Sequence, residues 1–339
     1  MSINPVEIPT GAVRYNTDSN KMEVYIGSTW MEVAVSSPNL DGGARGVFQS
    51  GYVAPLPKDT VDYITIPTAG NATDFGNLVT ARQWATAGWS SNTRAVTPGG
   101  YIAPDVSNQC DYATISSTGN YADFGDLSDS RVAHAGCSNQ TRGLTVGGNP
   151  VNSGAKTNNC EYMTIATLGA TGQDFGDIAT ATASLGGNIQ SPTRSIFFGG
   201  YTPTNVKTIE YFTTATLGNA VDFGDLTTLA GDVPMGLSNS IRGLRAGGNA
   251  PSSTDTIDYI TIAVLGNAVD FGNLSAVVSS AEGGTASPTR GVFAGIGDPV
   301  SNTIDYVSIA TQGNAVDFGD LFEARTHGNE VSNGHGGLG

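Results

Sequence analysis

Apolar and polar positions alternate over short runs along most of this chain, and glycine-rich punctuation ends each run within a few residues. Residues 287–320 show the pattern. Ser287-Pro288-Thr289 opens Arg290-Gly291-Val292-Phe293-Ala294-Gly295. After a turn comes Thr303-Ile304-Asp305-Tyr306-Val307-Ser308-Ile309, and then Gly313-Asn314-Ala315-Val316-Asp317-Phe318-Gly319-Asp320. Period-two alternation rich in β-branched and aromatic residues predicts strands, and Gly-Asn, Gly-Gly and Ser-Pro predict the turns between them. A weaker segment of small residues precedes the next arginine, giving four predicted strands per unit. Nothing approaches the ~18 consecutive apolar residues of a spanning helix.

The unit recurs. Asp-Phe-Gly begins at Asp74, Asp123, Asp174, Asp222, Asp270 and Asp317. A tyrosine after an acid keeps the same step at Tyr63, Tyr112, Tyr162, Tyr211, Tyr259 and Tyr306. So does an arginine, at Arg45, Arg94, Arg142, Arg194, Arg242 and Arg290. Three markers in phase, six times each, establish a six-fold repeat. Units of roughly 48 residues with four strands have the size of a β-propeller blade.

Composition narrows the function. The 46 glycines and 13% charged residues suit many short strands rather than disorder. A net charge of −15, spread along the chain, repels phosphate backbones, so no nucleic acid is expected as partner. No cofactor motif is present. The cysteines Cys110, Cys137 and Cys160 have neither a disulfide nor a metal-ligand spacing. Cys110 and Cys160 fall in a slot that elsewhere holds Val61, Ile209, Ile257 and Ile304, which makes them small core residues. Cys137 shares a predicted loop slot with Trp89.

Six Asp-Phe-Gly copies, few lysines and no His-Arg-Asp exclude a kinase. The Phe is expected between blades, the Gly at a bend, and the Asp on turn amides, with the six arginines at the Thr-Arg position (Ala44 and Ile241 replace Thr in two units) as its candidate partners. Asp123/Asp126, Asp174/Asp177, Asp222/Asp225 and Asp317/Asp320 are paired carboxylates, with Asn77 and Asn273 in the other two units. No calcium-loop pattern accompanies them, so solvated turns are expected and no metal. His134, His327 and His335 do not recur with the repeat. A propeller enzyme acting on carbohydrate would need a carboxylate pair that breaks the repeat inside a pocket. The sequence alone points to none, so no catalytic residue and no enzyme are expected.

The unit resembles the kelch repeat: a strand ending in Gly-Gly (Gly99-Gly100, Gly147-Gly148, Gly199-Gly200, Gly247-Gly248), then the tyrosine, an aromatic strand, and an arginine opening the next unit (Arg82, Arg131, Arg325). Phe of Asp-Phe-Gly stands where kelch has Trp. Ser50-Gly51 and Gly295-Ile296-Gly297 depart from the pattern, and three units lack the opening arginine. The resemblance implies an all-β, six-bladed kelch-like propeller over residues 37–339. The segment from Arg325 to Ser332 is expected to return and complete the blade begun by residues 45–78, which removes free sheet edges.

Residues 1–36 predict a separate three-stranded meander: Val13–Asn16, Met22–Ile26 and Thr29–Val33. It is too small to be stable alone. Gly11-Ala12-Val13-Arg14-Tyr15-Asn16 followed by Glu23-Val24-Tyr25-Ile26-Gly27-Ser28-Thr29-Trp30 resembles an attachment module of bacteriophage tail-fibre and other virion proteins. The Asp-Tyr-x-Thr-Ile and Asp-Phe-Gly-Asp-Leu arrays resemble those of marine phage structural proteins. The resemblance implies a virion protein, made in the host cytoplasm without a signal peptide. It would be a tail-fibre or appendage subunit mounted through Arg14, Tyr15, Tyr25 and Trp30, with homotrimerisation as one expectation. Its partners would be other virion proteins and a host-surface glycan or outer-membrane protein, without membrane insertion. The alternatives are a capsid or tail decoration or assembly protein, and a carbohydrate-active enzyme. Tyr52, Trp84, Trp89, Tyr101 and Tyr201 are the aromatic residues expected at the binding surface.

Overall fold

A computed structural model describes residues 8–16, 21–32, 44–86, 88–150, 155–249 and 251–338, apart from the side chains of Lys21 and Glu32. Among them there is no α-helix, and none is long and apolar enough to cross a membrane. The backbone divides into two compact units, Met1–Gly42 and Gly43–Gly339. The boundary expected at residues 36/37 lies outside the described residues, as does Val33.

The first unit is a meander. Val13–Asn16 pairs antiparallel with Lys21–Ile26, which pairs antiparallel with Thr29–Glu32. Gly27, at φ +70°, makes the tight second turn.

The second unit is a propeller-like array of antiparallel sheets. Sheet six shows the plan, with Gly283–Ala286, Arg290–Ala294, Thr303–Ser308 and Val316–Asp320 side by side in chain order. Sheets two to five repeat it, with first strands Trp89–Ser90, Ala135–Ser138, Gly186–Gln190 and Met235–Ser238. Sheet one differs in origin. Its last three strands are Arg45–Gln49, Leu56–Thr65 and Thr73–Arg82, but its first is Asn329–Ser332, paired Asn329↔Gln49 through Ser332↔Gly46. Each first strand lies against that of the next sheet, and that of sheet six lies against that of sheet one.

The repeated residues act at the sheet junctions. Phe75, Phe124, Phe175, Phe223, Phe271 and Phe318 are buried, each edge-on to its own sheet's tyrosine. The Asp-Phe-Gly glycines have φ between +139° and +150°, and a side chain there would collide with the loop of the following unit. That approach lets Gly119 N donate to Phe75 O at 2.8 Å and Gly70 N to Phe318 O at 2.8 Å, so the outer strands are covered rather than left as free edges.

Contrary to the expectation from their shared period, the arginines at the Thr-Arg position do not pair with the Asp-Phe-Gly aspartates. Each guanidinium lies 4.4–5.2 Å over the tyrosine ring of its own sheet and donates to a carbonyl of the next. Arg45 bonds Ile115 O at 2.9 Å, Arg94 Ile165 O at 2.6 Å, and Arg290 Ile66 O at 2.9 Å. A flat cation with several donors can stack and bond at once. The Asp-Phe-Gly carboxylates face outward on exposed residues. Turn amides are instead held by asparagines, such as Asn71 accepting from Asp320 N at 3.2 Å, and by the acid before the tyrosine, such as Asp305 accepting from Ser275 N at 2.8 Å. That acid also forms the buried ion pairs. Arg82, Arg131, Arg245 and Arg325 meet Asp111, Glu161, Asp258 and Asp62 at 2.7, 2.7, 3.4 and 2.9 Å. Cys110 and Cys160 are fully buried core residues, and burial pushes both thiols up.

Candidate functional site

The loops leading into the first strands share one face of the array. At Trp84, Ala133, Ser184, Asp232, Val233 and His327 they adopt φ of +54° to +59°, a region that non-glycine residues occupy only when their surroundings hold them there. A chain of backbone bonds does so. His327 N donates to Ala281 O, Trp84 N to His327 O, Ala133 N to Trp84 O, Ser184 N to Ala133 O, and Val233 N to Ser184 O, at 2.7–3.2 Å.

Four of the five expected binding residues lie on this face. Tyr52 bridges Thr326, Tyr101 bridges Gln83 and Tyr201 bridges Ala183, each partner being the residue just before a left-handed position. Trp84 is 39% exposed, with ring centroids 6.2 Å from Tyr101 and 5.8 Å from His327. Tyr201 is 44% exposed, and the Lys156 ammonium lies 4.7 Å over its ring. His327, which does not recur with the repeat, joins this face as well. Its signal is positional, because it occupies in sheet one the slot that Trp84 occupies in sheet two.

Trp89 is a correction. It sits in a first strand, 1% exposed, edge-on to Phe124 at 5.4 Å, and its Nε1 donates to Thr145 Oγ1 at 3.3 Å. Cys137 is likewise in a strand, buried at the equivalent position, and not in a loop. The small residues around both hid a strand that packs on its two neighbours.

Where the first strands converge, one slot reads Gly88, Gly136, Asn188, Gly236, Gly284 and Glu330. Glycine is required by crowding, since a side chain on Gly236 would strike Gly187 O and Phe198. Two members carry side chains across this space, and Asn188 Nδ2 donates to Glu330 Oε1 at 2.6 Å. Burial holds the Glu330 carboxyl well above its ordinary range. Two residues earlier in the slot of sheet six, Glu282 accepts from Arg325 Nε at 2.6 Å, and burial pushes it up to about 7. These are the carboxylates that the sequence pattern failed to point to, a pair that breaks the repeat beside a shared cavity. That cavity is only about 10 Å³, room for one water-sized particle, and no sugar ring fits between them.

The opposite end is closed by His335. Its Nδ1 accepts from Gln190 Nε2 at 2.8 Å and from Gly337 N at 3.1 Å, and Nε2 lies 3.3 Å from Ser90 O and from Ser138 Oγ. With both nitrogens engaged in the neutral form, burial lowers its pKa to about 4.

In the meander, Arg14 bridges Glu23 at 2.7 Å and lies 4.2 Å over Trp30, which stands edge-on to Tyr25 at 5.2 Å. Tyr15, Val13, Ile26 and Met31 are each more than half exposed. Among the described residues, no group of three or more His, Cys, Asp or Glu is placed to hold a metal. No family model matches the chain, and a search of curated proteins found no significant match.

Proposed function

We propose that the array closes as a six-bladed propeller, with Asn329–Ser332 as its latch, and that it works as a binding module rather than an enzyme. The cyclic contacts of the first strands support closure, as do the Arg290 bond to Ile66 and the Gly70 bond to Phe318, which join the last unit to the first. The binding reading is carried by one observation: Tyr52, Trp84, Tyr101 and Tyr201 share the face built on left-handed loops. Trp84 and Tyr201 are exposed and Tyr52 and Tyr101 half-buried, and aromatic residues so presented on a rigid scaffold suit contact with a glycan or a protein surface.

On the resemblance of its N-terminal module and repeats, the protein is a phage virion component, a tail-fibre or appendage subunit that meets the host surface. Residues 1–36 would mount it on other virion proteins, as a homotrimer. The exposed apolar residues of the meander fit such a mount. A second reading, a decoration or assembly subunit without a receptor, is favoured by a different feature. Leu217, Val221, Val264, Leu265, Val269 and Val316 leave apolar side chains exposed along the outer parts of sheets four to six, where neighbouring subunits would pack.

Gold-labelled antibody on particles from a lysate separates these readings. Label at the distal end of a fibre or spike is expected, with host binding reduced at least tenfold by Trp84→Ala. Label over capsid or tail tube would favour decoration, and label on no particle would overturn the virion reading.

A further inference from the structure

The buried charge where the first strands converge does not balance. Arg325 donates from Nε to Glu282 Oε1 at 2.6 Å and from Nη1 to Asp62 Oδ2 at 2.9 Å, and all three side chains are out of contact with water. Glu330, 4% exposed, adds a third carboxyl close enough to Glu282 to feel its charge. Arg82, Arg131 and Arg245 are each taken by another acid, Asp111, Glu161 and Asp258. Three carboxyls therefore share one guanidinium. A dry interior does not tolerate two surplus negative charges; it takes up two protons or one doubly charged cation.

Geometry favours the cation. Glu282 Oε2 and Glu330 Oε2 are both buried without a partner at ordinary hydrogen-bond geometry, the Gly328 and Gly284 amides being the backbone groups nearest these carboxyls, and both residues line the same cavity. Each carboxylate is anchored by its other oxygen, one by Arg325 and one by Asn188, so the free oxygens are fixed in place. The volume of about 10 Å³ admits a single ion and nothing larger. Backbone of Gly187 and Gly236 borders the same space, and carbonyl oxygens are what a hard cation takes to complete six to eight ligands.

The chain of backbone bonds across the loop face also has its break here. It runs from Ala281 through His327 to Val233, and no bond joins Val233 back to Ala281. Val233 and Ala281 both line the cavity. Asp232 and Val233 are two consecutive left-handed residues at this break, and for a β-branched valine that conformation is strained. Glu282 and Glu330 line that cavity with Val233 and Ala281.

We propose that this cavity binds one divalent, oxygen-seeking cation of the calcium type, ligated by Glu282 Oε2 and Glu330 Oε2. With only two carboxylates the affinity is modest, with Kd roughly 0.1–1 mM. The cation ties sheet six to sheet one and so strengthens the junction that joins the last unit of the array to the first.

Full-length protein stripped with a chelator is titrated with calcium chloride and followed by thermal unfolding and calorimetry. A saturable rise of about 5 °C at a hundredfold excess over Kd is expected. The stoichiometry should be one, magnesium should act more weakly, and sodium chloride of equal ionic strength should have no effect. Glu330→Gln and Glu282→Gln, checked for native circular dichroism, lose the calcium response. Should either variant fail to fold, the stoichiometry of one on the wild type decides alone. An absent calcium response, or one unchanged in folded Glu330→Gln, overturns the proposal. Glu330→Gln that is more stable than wild type at every calcium concentration would assign the surplus charge to protons instead.

Discussion

The two units solve the problem of short strands in opposite ways. In Gly43–Gly339 every sheet junction is built from the same parts: a buried phenylalanine, an arginine stacked on tyrosine, and a glycine that lets the next unit's loop approach. The meander uses the same kinds of contact, with Arg14 over Trp30 and paired with Glu23. Its described residues form a single layer, and Val13, Tyr15, Ile26 and Met31 stay exposed. An ion pair or a stacked cation therefore holds structure only where neighbouring layers exclude water.

Breaking equivalent arginines in the two units should expose that difference most strongly. Arg325→Met strands Asp62 and Glu282 in the interior and should destabilise the array by about 3–5 kcal/mol in urea unfolding. Arg14→Met, which removes a half-exposed pair, should change unfolding by less than about 1 kcal/mol. Equal effects would show that burial is not what separates the units.

A second test uses pH. The folded-state pKa of His335 is about 4, below the ordinary histidine value. As pH falls below about 6.5 the unfolded chain takes up a proton that the folded protein refuses, so stability declines between there and about 4 and then levels off. This one group should account for about 3 kcal/mol. His335→Gln should flatten that part of the stability profile, which chemical unfolding at a series of pH values would measure. A slope unchanged by the substitution would mean that the closure at this end is not as described. Histidine is absent from the meander, so the effect belongs to the array.

A smaller loss is expected from Gly319→Ala, where a side chain would strike Gly70 at the junction of sheets six and one in a backbone conformation that alanine resists. About 2 kcal/mol should be lost. Gly27→Ala in the meander has open space around it and only its φ to oppose it. It should lose about 1 kcal/mol from that unit, read by calorimetry.

The junctions were legible in the sequence because every one reuses the same residues, so Phe, Tyr and Arg announced themselves by recurring in phase. The period could not say which of them touch. Arg290, Tyr306 and Asp317 share one step, and only the sheet register places the guanidinium on the ring rather than beside the aspartate. The convergence of first strands was hardest to read. Those strands consist of small residues with no marker, so Trp89 looked like a loop aromatic. Glu330 could not be seen to occupy a glycine slot until Asn329–Ser332 was paired with Arg45–Gln49. The binding face was half legible. Tyr52, Tyr101 and Tyr201 follow the Gly-Gly or Ser-Gly steps, whereas His327 joins them only through the fold.

The central claim is that the last strand closes the ring. Hydrogen exchange of the amides in 329–332 and 45–49, followed by mass spectrometry on the full-length protein, tests it most directly. Closure predicts that both segments exchange only through global unfolding, at the same rate as 290–294 in sheet six. Fast exchange of 329–332 while 290–294 stays protected would show a frayed end, and would contradict the ring.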